Sequence, residues 1–148
     1  AAEFQTILSD GAHVAAGVDR LGEVFDRFGL TPTNSYMLEN LYRTQTQIAY
    51  AGGKWAAEQS PEIQEILWGY TYATVGDDRV REDHAAMDGV TLPKSDPIWA
   101  IWMPPNGWSC RCTAIPRFEE REPVRPTEQA DPDEGFRLNF GAIYGQAI

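Results

Sequence analysis

Both cysteines of this chain, one of its two histidines and three of its arginines fall in one stretch. It runs Asp78-Arg79-Val80-Arg81-Glu82-Asp83-His84, then Asp88-Gly89, then Pro104-Pro105-Asn106-Gly107-Trp108-Ser109-Cys110-Arg111-Cys112. Two kinds of chemistry are open to such a set. Two thiolates and an imidazole suit zinc, which takes four ligands; His84, Cys110 and Cys112 would need a fourth from Asp78, Asp88 or water. A thiol beside an imidazole is also the material of a nucleophile and its base. Arg79 and Arg81 could then hold an anion while His84 moves a proton. A plainer reading competes with both: buried thiols, and a histidine hydrogen-bonded in a turn. Neither the usual Cys-x-x-Cys pairs nor a nucleophile motif surrounds Cys110 or Cys112. In a strand, Cys-x-Cys spacing sets the Cα atoms roughly 6.5–7 Å apart, at the far edge of disulfide geometry. Reduced thiols, and a cytosolic compartment, fit that spacing better.

The rest of the chain bounds what this stretch can serve. At 148 residues, 43% hydrophobic, with five Trp, six Tyr and six Phe, it can build one core, or one core with an arm. No run approaches the roughly 18 apolar residues of a membrane span. The start, Ala1-Ala2-Glu3-Phe4, lacks the basic and apolar regions of a signal peptide and has no Met, so it reads as processed or as part of a longer parent. A net charge of −10 argues against broad duplex binding, because neutralising phosphates takes clustered Lys and Arg. The charge is uneven, however. Arg79, Arg81 and Arg111 sit in the chemical stretch, and acid concentrates from Glu119 to Glu134.

Helices come first. Val18, Leu21, Val24, Phe25 and Phe28 have helical spacing, with Gly29 as a stop. Thr31 to Ser35 forms a linker ending in N-cap residues. A second helix carries Leu38, Leu41, Tyr42, Ile48 and Ala49 on one face and is expected to end at Gly52-Gly53. Arg43, near its middle, either reaches the chemical stretch or stays solvated. Ser60-Pro61 opens a short third helix carrying Ile63, Ile66 and Leu67. His13 reads as a surface residue.

A sheet follows. Trp68, Tyr70, Tyr72 and Thr74 alternate as in a strand ended by Gly76, the tyrosines serving as packing aromatics. Asp78 is expected to cap a helix running to Met87 and closed by Gly89. Val90 to Leu92 and Ile98 to Met103 read as strands, the second one buried. Pro104-Pro105-Asn106-Gly107 reads as a turn. Trp108 to Ile115 reads as a last strand, with Trp108, Cys110, Cys112 and Ala114 on one face. From Pro116 the chain turns Pro-rich and acidic, which implies an extended arm, and Gly135 to Gly141 gives it an aromatic tip that would dock on something.

The run from Gly76 to Cys112 resembles the phage Mu F-like family of minor head proteins, which includes head-morphogenesis proteins of the SPP1 type. The resemblance rests on Gly76-Asp77-Asp78-Arg79-Val80-Arg81, His84, Asp88-Gly89, Pro104-Pro105-Asn106-Gly107-Trp108 and Cys110-Arg111-Cys112 in that order. Arg43-Thr44 with Ala49-Tyr50 and Gly53 is similar to the Arg-Thr helix that precedes this motif. Asp133 to Gly141 is similar to the closing Gly-Phe-x-x-Asn-x-Gly segment. Some relatives carry Cys-x-x-Cys at 81–84 and His-Pro-Asn-Cys at 107–110, which look like full zinc sites. Here Arg81 and Trp108 stand at would-be ligand positions, so the resemblance implies a hydrogen-bonded, stacked knot in which Arg81 meets a carboxylate such as Asp88 and packs on Trp108.

The expectation is therefore an α+β fold: N-terminal helices packed on a small antiparallel sheet, with an extended C-terminal arm. Residues 1–33 form a helical segment, 34–115 the core domain and 116–148 the arm. The resemblance implies a non-enzymatic minor head protein of a tailed phage or prophage, acting in head morphogenesis. Its partners would be portal or capsid proteins, with packaged DNA a further candidate and no membrane contact. It would sit in the virion head, and in the host cytoplasm during assembly. The knot would comprise Arg43, Asp78, Arg79, Arg81, His84, Asp88, Trp108, Cys110, Arg111 and Cys112. No cofactor is expected; zinc on His84, Cys110 and Cys112 is the alternative. The competing function is a toxin-type nuclease or transferase using His84 with Arg79 and Arg81.

Overall fold

A computed structural model describes residues 14–147. His13 lies outside them. Among the described residues, five α-helices and three strands follow in the order α1 (Val14–Arg27), α2 (Ser35–Glu58), α3 (Pro61–Ile66), β1 (Gly69–Ala73), α4 (Glu82–Ala86), β2 (Thr91–Pro93), β3 (Thr113–Arg117) and α5 (Phe140–Tyr144). Single 3-10 turns cover Pro97–Ala100 and Gly145–Ala147. This is the α+β class expected.

The sheet has strand order β2-β1-β3 and is antiparallel throughout. Tyr70 stands opposite Leu92 on one side and Pro116 on the other; Tyr72 stands opposite Ala114. Both tyrosines are buried, at 2% and 0% exposed, in a core with Leu67, Met87, Leu92, Trp99, Trp102, Cys110 and Cys112. The tryptophans meet the tyrosines edge-on, Trp99 against Tyr70 at 5.5 Å and Trp102 against Tyr72 at 5.8 Å. That geometry suits the ring quadrupoles. A smaller cluster joins Leu21 of α1 to Tyr42 of α2, with Val14, Val18, Val24 and Leu38 around them.

Five local expectations are corrected. The helix expected from an Asp78 cap runs only from Glu82 to Ala86, with Arg81 at its N-cap position and no side-chain cap. Phe28 is 67% exposed, because α1 ends at Arg27 and Gly29 turns the chain at φ 65°. α2 does not stop at Gly52-Gly53 but continues to Glu58. Gly52 is there for close approach: a Cβ would press on Tyr144 and the Gly145 backbone, so α5 sets this glycine rather than a helix end. Ile98 to Met103 is not a strand. Asp96 accepts a hydrogen bond from the Ile98 N–H at 3.0 Å and Pro97 opens a 3-10 turn, which buries Trp99 and Trp102, three positions apart. Residues 108–112 are not in a strand either: the backbone of Ser109 lies at φ 50°, so β3 starts only at Thr113. Trp108 is accordingly 46% exposed, while the alternation Cys110, Cys112, Ala114 toward the core holds.

Residues 118–139 carry no helix or strand, in keeping with their composition. The segment returns to its own domain. Val124 bridges to Thr91 at the β2 edge, and Phe136 is 5% exposed. The aromatic tip thus finds its dock within the chain: Trp108, Phe136, Phe140 and Tyr144 contact one another in succession, at 5.6, 5.5 and 6.3 Å.

Candidate functional site

Helix α4 carries His84 on its buried face, at 2% exposed, and the chain entering β3 supplies Cys110 and Cys112 at 2% and 8%. The histidine Nδ1 lies 3.4 Å from the Cys112 Sγ and 3.8 Å from the Cys110 Sγ. The three donor atoms all fall within 4.8 Å of one another. Trp102 covers the imidazole edge-on at 5.9 Å. The three residues singled out for chemistry therefore do converge.

Burial and mutual hydrogen bonding split the thiols. The bond from Cys112, with a further one from His84, holds the Cys110 thiol far below its ordinary range, at about 4. The same Cys110–Cys112 bond and burial push Cys112 up, while the nearby Arg81 charge pulls it down. The pair is thus split, Cys110 lowered and Cys112 raised. Burial is also the main cause that raises Tyr72, and the two thiols add to it.

Two tests of a metal at this point give different answers. Tetrahedral zinc with Zn–S of about 2.3 Å and Zn–N of about 2.0 Å would set N and S roughly 3.6 Å apart, which 3.4 and 3.8 Å bracket. Among the described residues, however, the donor set stops at three. Asp88 is committed elsewhere, accepting from the Thr74 amide and hydroxyl at 2.7 and 3.0 Å, and Asp78 is exposed. The His84 Nε2 is buried with no hydrogen-bond partner, where a zinc-bound imidazole would donate its second N–H to an outer acceptor. The described residues do not by themselves make a closed structural zinc site.

A shell of polar contacts holds the knot from outside. Arg81 donates to the Trp108 carbonyl at 2.7 Å and pairs with Asp133 at 3.4 Å. The carboxylate facing Arg81 is therefore Asp133, not Asp88, which corrects the expected pair. Arg111 grips Asp77 with both guanidinium nitrogens, at 2.6 and 2.8 Å. That grip holds the Asp77 carboxyl at about 2. Asp77, not the neighbouring Asp78, is the acid that works here; it also turns the loop by accepting from the Arg79 amide at 3.1 Å. Arg43 pairs with Glu39 at 2.8 Å, one turn back on α2. The helix reaches the knot through Thr44, 1% exposed, which accepts the Ser109 amide at 2.9 Å, and through Asn40, which accepts the Ser109 hydroxyl at 2.5 Å.

Asn106 is the residue that sequence reasoning passed over as a turn position. It is fully buried, accepts the Tyr72 hydroxyl at 3.1 Å, donates to the Ile101 carbonyl at 3.2 Å, and offers its own carbonyl to the Asp133 amide at 3.0 Å. The turn that carries it includes a cis Pro104–Pro105 bond. Each fixed position of the closing segment also has a physical role. Gly135 turns at φ 83°, and Phe136 packs on Trp108. Asn139 caps α5 by accepting the Ala142 amide at 2.9 Å, and a Cβ on Gly141 would press on the Ala51 carbonyl of α2.

These positions define a class. Residues 20–115 match the family described as Phage Mu protein F like protein, and the chain belongs to that family. Among its curated relatives is "Putative capsid assembly protein F" of Escherichia phage Mu, 33% identical over 108 residues, which is 72% of this chain and 22% of that protein. Another is "Mu-like prophage FluMu F protein" of Haemophilus influenzae, 35% identical over 75 residues, 51% of this chain and 18% of that one. The chain thus spans about a fifth of the length of each. No solved structure matches it.

Proposed function

We propose that this chain is a non-enzymatic assembly module of a tailed-phage or prophage minor head protein, acting in head morphogenesis by docking on portal or capsid subunits. Its place is the virion head, reached from the host cytoplasm during assembly. The observation that carries the reading is its membership of the Mu F-like family, with a relative whose printed name is a capsid assembly protein.

The chemistry of the knot supports a structural role. A nucleophile must meet its substrate within contact distance, and Cys110 and His84 are each 2% exposed. Three of the polar groups around the knot hold loops: Arg81 on Trp108, Arg111 on Asp77, Thr44 on Ser109. In this reading the knot needs no cofactor, and the Arg81 guanidinium supplies the positive charge beside the sulfurs. No helix among the described residues is long and apolar enough to cross a membrane.

The experiment is quantitative mass spectrometry of proheads purified from the phage or induced prophage that encodes the parent protein. The parent should co-purify at a fixed ratio to the portal. A parent found only in the free pool would contradict the reading.

A further inference from the structure

The cleft outside the knot gathers arginines on a chain that is acidic overall. The first half of α2 and the loops at 79–81 and 108–111 enclose about 740 Å³. Four of the chain's 12 Lys and Arg residues line it: Arg43, Arg79, Arg81 and Arg111. Glu39 is the carboxylate among the lining residues, and Asp77 and Asp133 pair with Arg111 and Arg81, so the lining itself is rich in guanidinium on a chain of net charge −10. Arg79 is the least engaged, 77% exposed and 3.7 Å from an Asp77 already held at both oxygens by Arg111. Arg43 gives Glu39 its Nε, and an arginine has five N–H donors. Two half-exposed aromatic rings, Tyr36 at 59% and Trp108 at 46%, stand at the same cleft. Its wall is fixed: the left-handed Ser109 is tied to Asn40 and Thr44, and the Arg81 fork to the Trp108 carbonyl.

We infer that this cleft is a docking site for a short acidic segment of another head protein, one that presents carboxylates to Arg43 and Arg79 and an aromatic or aliphatic side chain to Trp108. The inference rests on the head-assembly reading and names the surface that would do the docking. Guanidinium forks match carboxylates two bonds at a time, and Arg beside exposed Trp and Tyr is the composition of interface anchors. A nucleic-acid strand fits less well. It carries a charge at every nucleotide and would run from the cleft onto the acidic surface, whereas a short segment meets only charges within about 8 Å at physiological salt.

The test follows arginine Nε–H and tryptophan indole N–H signals by NMR while the chain is titrated with two probes. One is a capped Glu-Phe-Glu-Glu-Leu-Glu peptide; the other is an oligothymidylate with the same number of charges. The peptide should move the Arg43, Arg79 and Trp108 signals and the oligothymidylate should not. The double variant Arg43→Glu, Arg79→Glu changes exposed side chains only, and should keep the fold while weakening peptide binding about tenfold or more. Stronger binding by the oligothymidylate would overturn the inference in favour of nucleic acid, and unmoved Arg79 and Trp108 signals would overturn it outright. Prohead incorporation separates this inference from the reading beneath it. A double variant that enters proheads at the wild-type ratio overturns the cleft as the docking site and leaves the head-assembly role standing. A wild-type parent missing from proheads overturns that role whatever the peptide does.

Discussion

Ser109, the one non-glycine residue with a left-handed backbone among those described, gives its amide to the Thr44 hydroxyl at 2.9 Å across 65 positions of chain. That bond ties α2 to the loop that delivers both cysteines. Thr44→Val keeps the shape and removes the acceptor, leaving a part-buried N–H without a partner. The loss should be about 1–3 kcal/mol, read as a lower denaturant midpoint with an unchanged slope.

The arm's aromatic tip contributes to the stability of the domain it covers. Phe136 lies between Trp108 and Phe140 at 5% exposed. Phe136→Ala should cost about 3–5 kcal/mol in chemical unfolding, the range for a buried aromatic. Val124→Ala, 50% exposed on the same arm, should cost a small fraction of that.

The thiol pair makes stability depend on pH with a definite sign. Cys110 is depressed to about 4 in the fold, chiefly by its bond from Cys112. Its contribution is fully present above the ordinary thiol pKa of about 8.5 and is lost as pH falls from there through about 4. Cys112 is raised, so its contribution is present below the ordinary thiol pKa and is lost as pH climbs beyond it. Ultraviolet thiolate absorbance should show one thiolate per native chain at neutral pH, which disappears on unfolding and is absent in Cys110→Ser. A native chain without thiolate absorbance would contradict the lowering of Cys110.

Metal content is a separate measurement. Three donors with an orphaned His84 Nε2 predict less than about 0.2 equivalents of zinc in protein purified without chelator. Close to one equivalent would mean that a fourth ligand, such as water, completes the site.

The sequence carried α1, α3 and β1 clearly, because apolar periodicity and caps such as Ser60-Pro61 act within a few residues, but it misplaced the end of α2 and the start of α4. It also brought His84, Cys110 and Cys112 together correctly. What it hid was non-local. Gly52 looks like a helix end until α5 is seen packed against it. Trp99 and Trp102 look like a strand until Asp96 and Pro97 tighten the backbone. Asp133, Asn106 and Thr44 owe their roles to partners 27 to 65 positions away or to a turn whose shape no spacing reveals. Choosing Asp78 over Asp77, or Asp88 over Asp133, needed the direction of a loop that Gly76 turns at φ 70°.

The central claim is that the His84–Cys110–Cys112 knot serves the fold and the surfaces serve assembly. One paired measurement on His84→Ala bears on it most directly: thermal unfolding of the purified chain, and incorporation of the parent into proheads across the same temperatures. A structural knot predicts that the unfolding midpoint falls and that incorporation is lost only where the variant is unfolded. A variant that melts like the wild type yet no longer enters proheads, or that loses an activity on RNA or DNA, would contradict the claim and make His84 part of a working site.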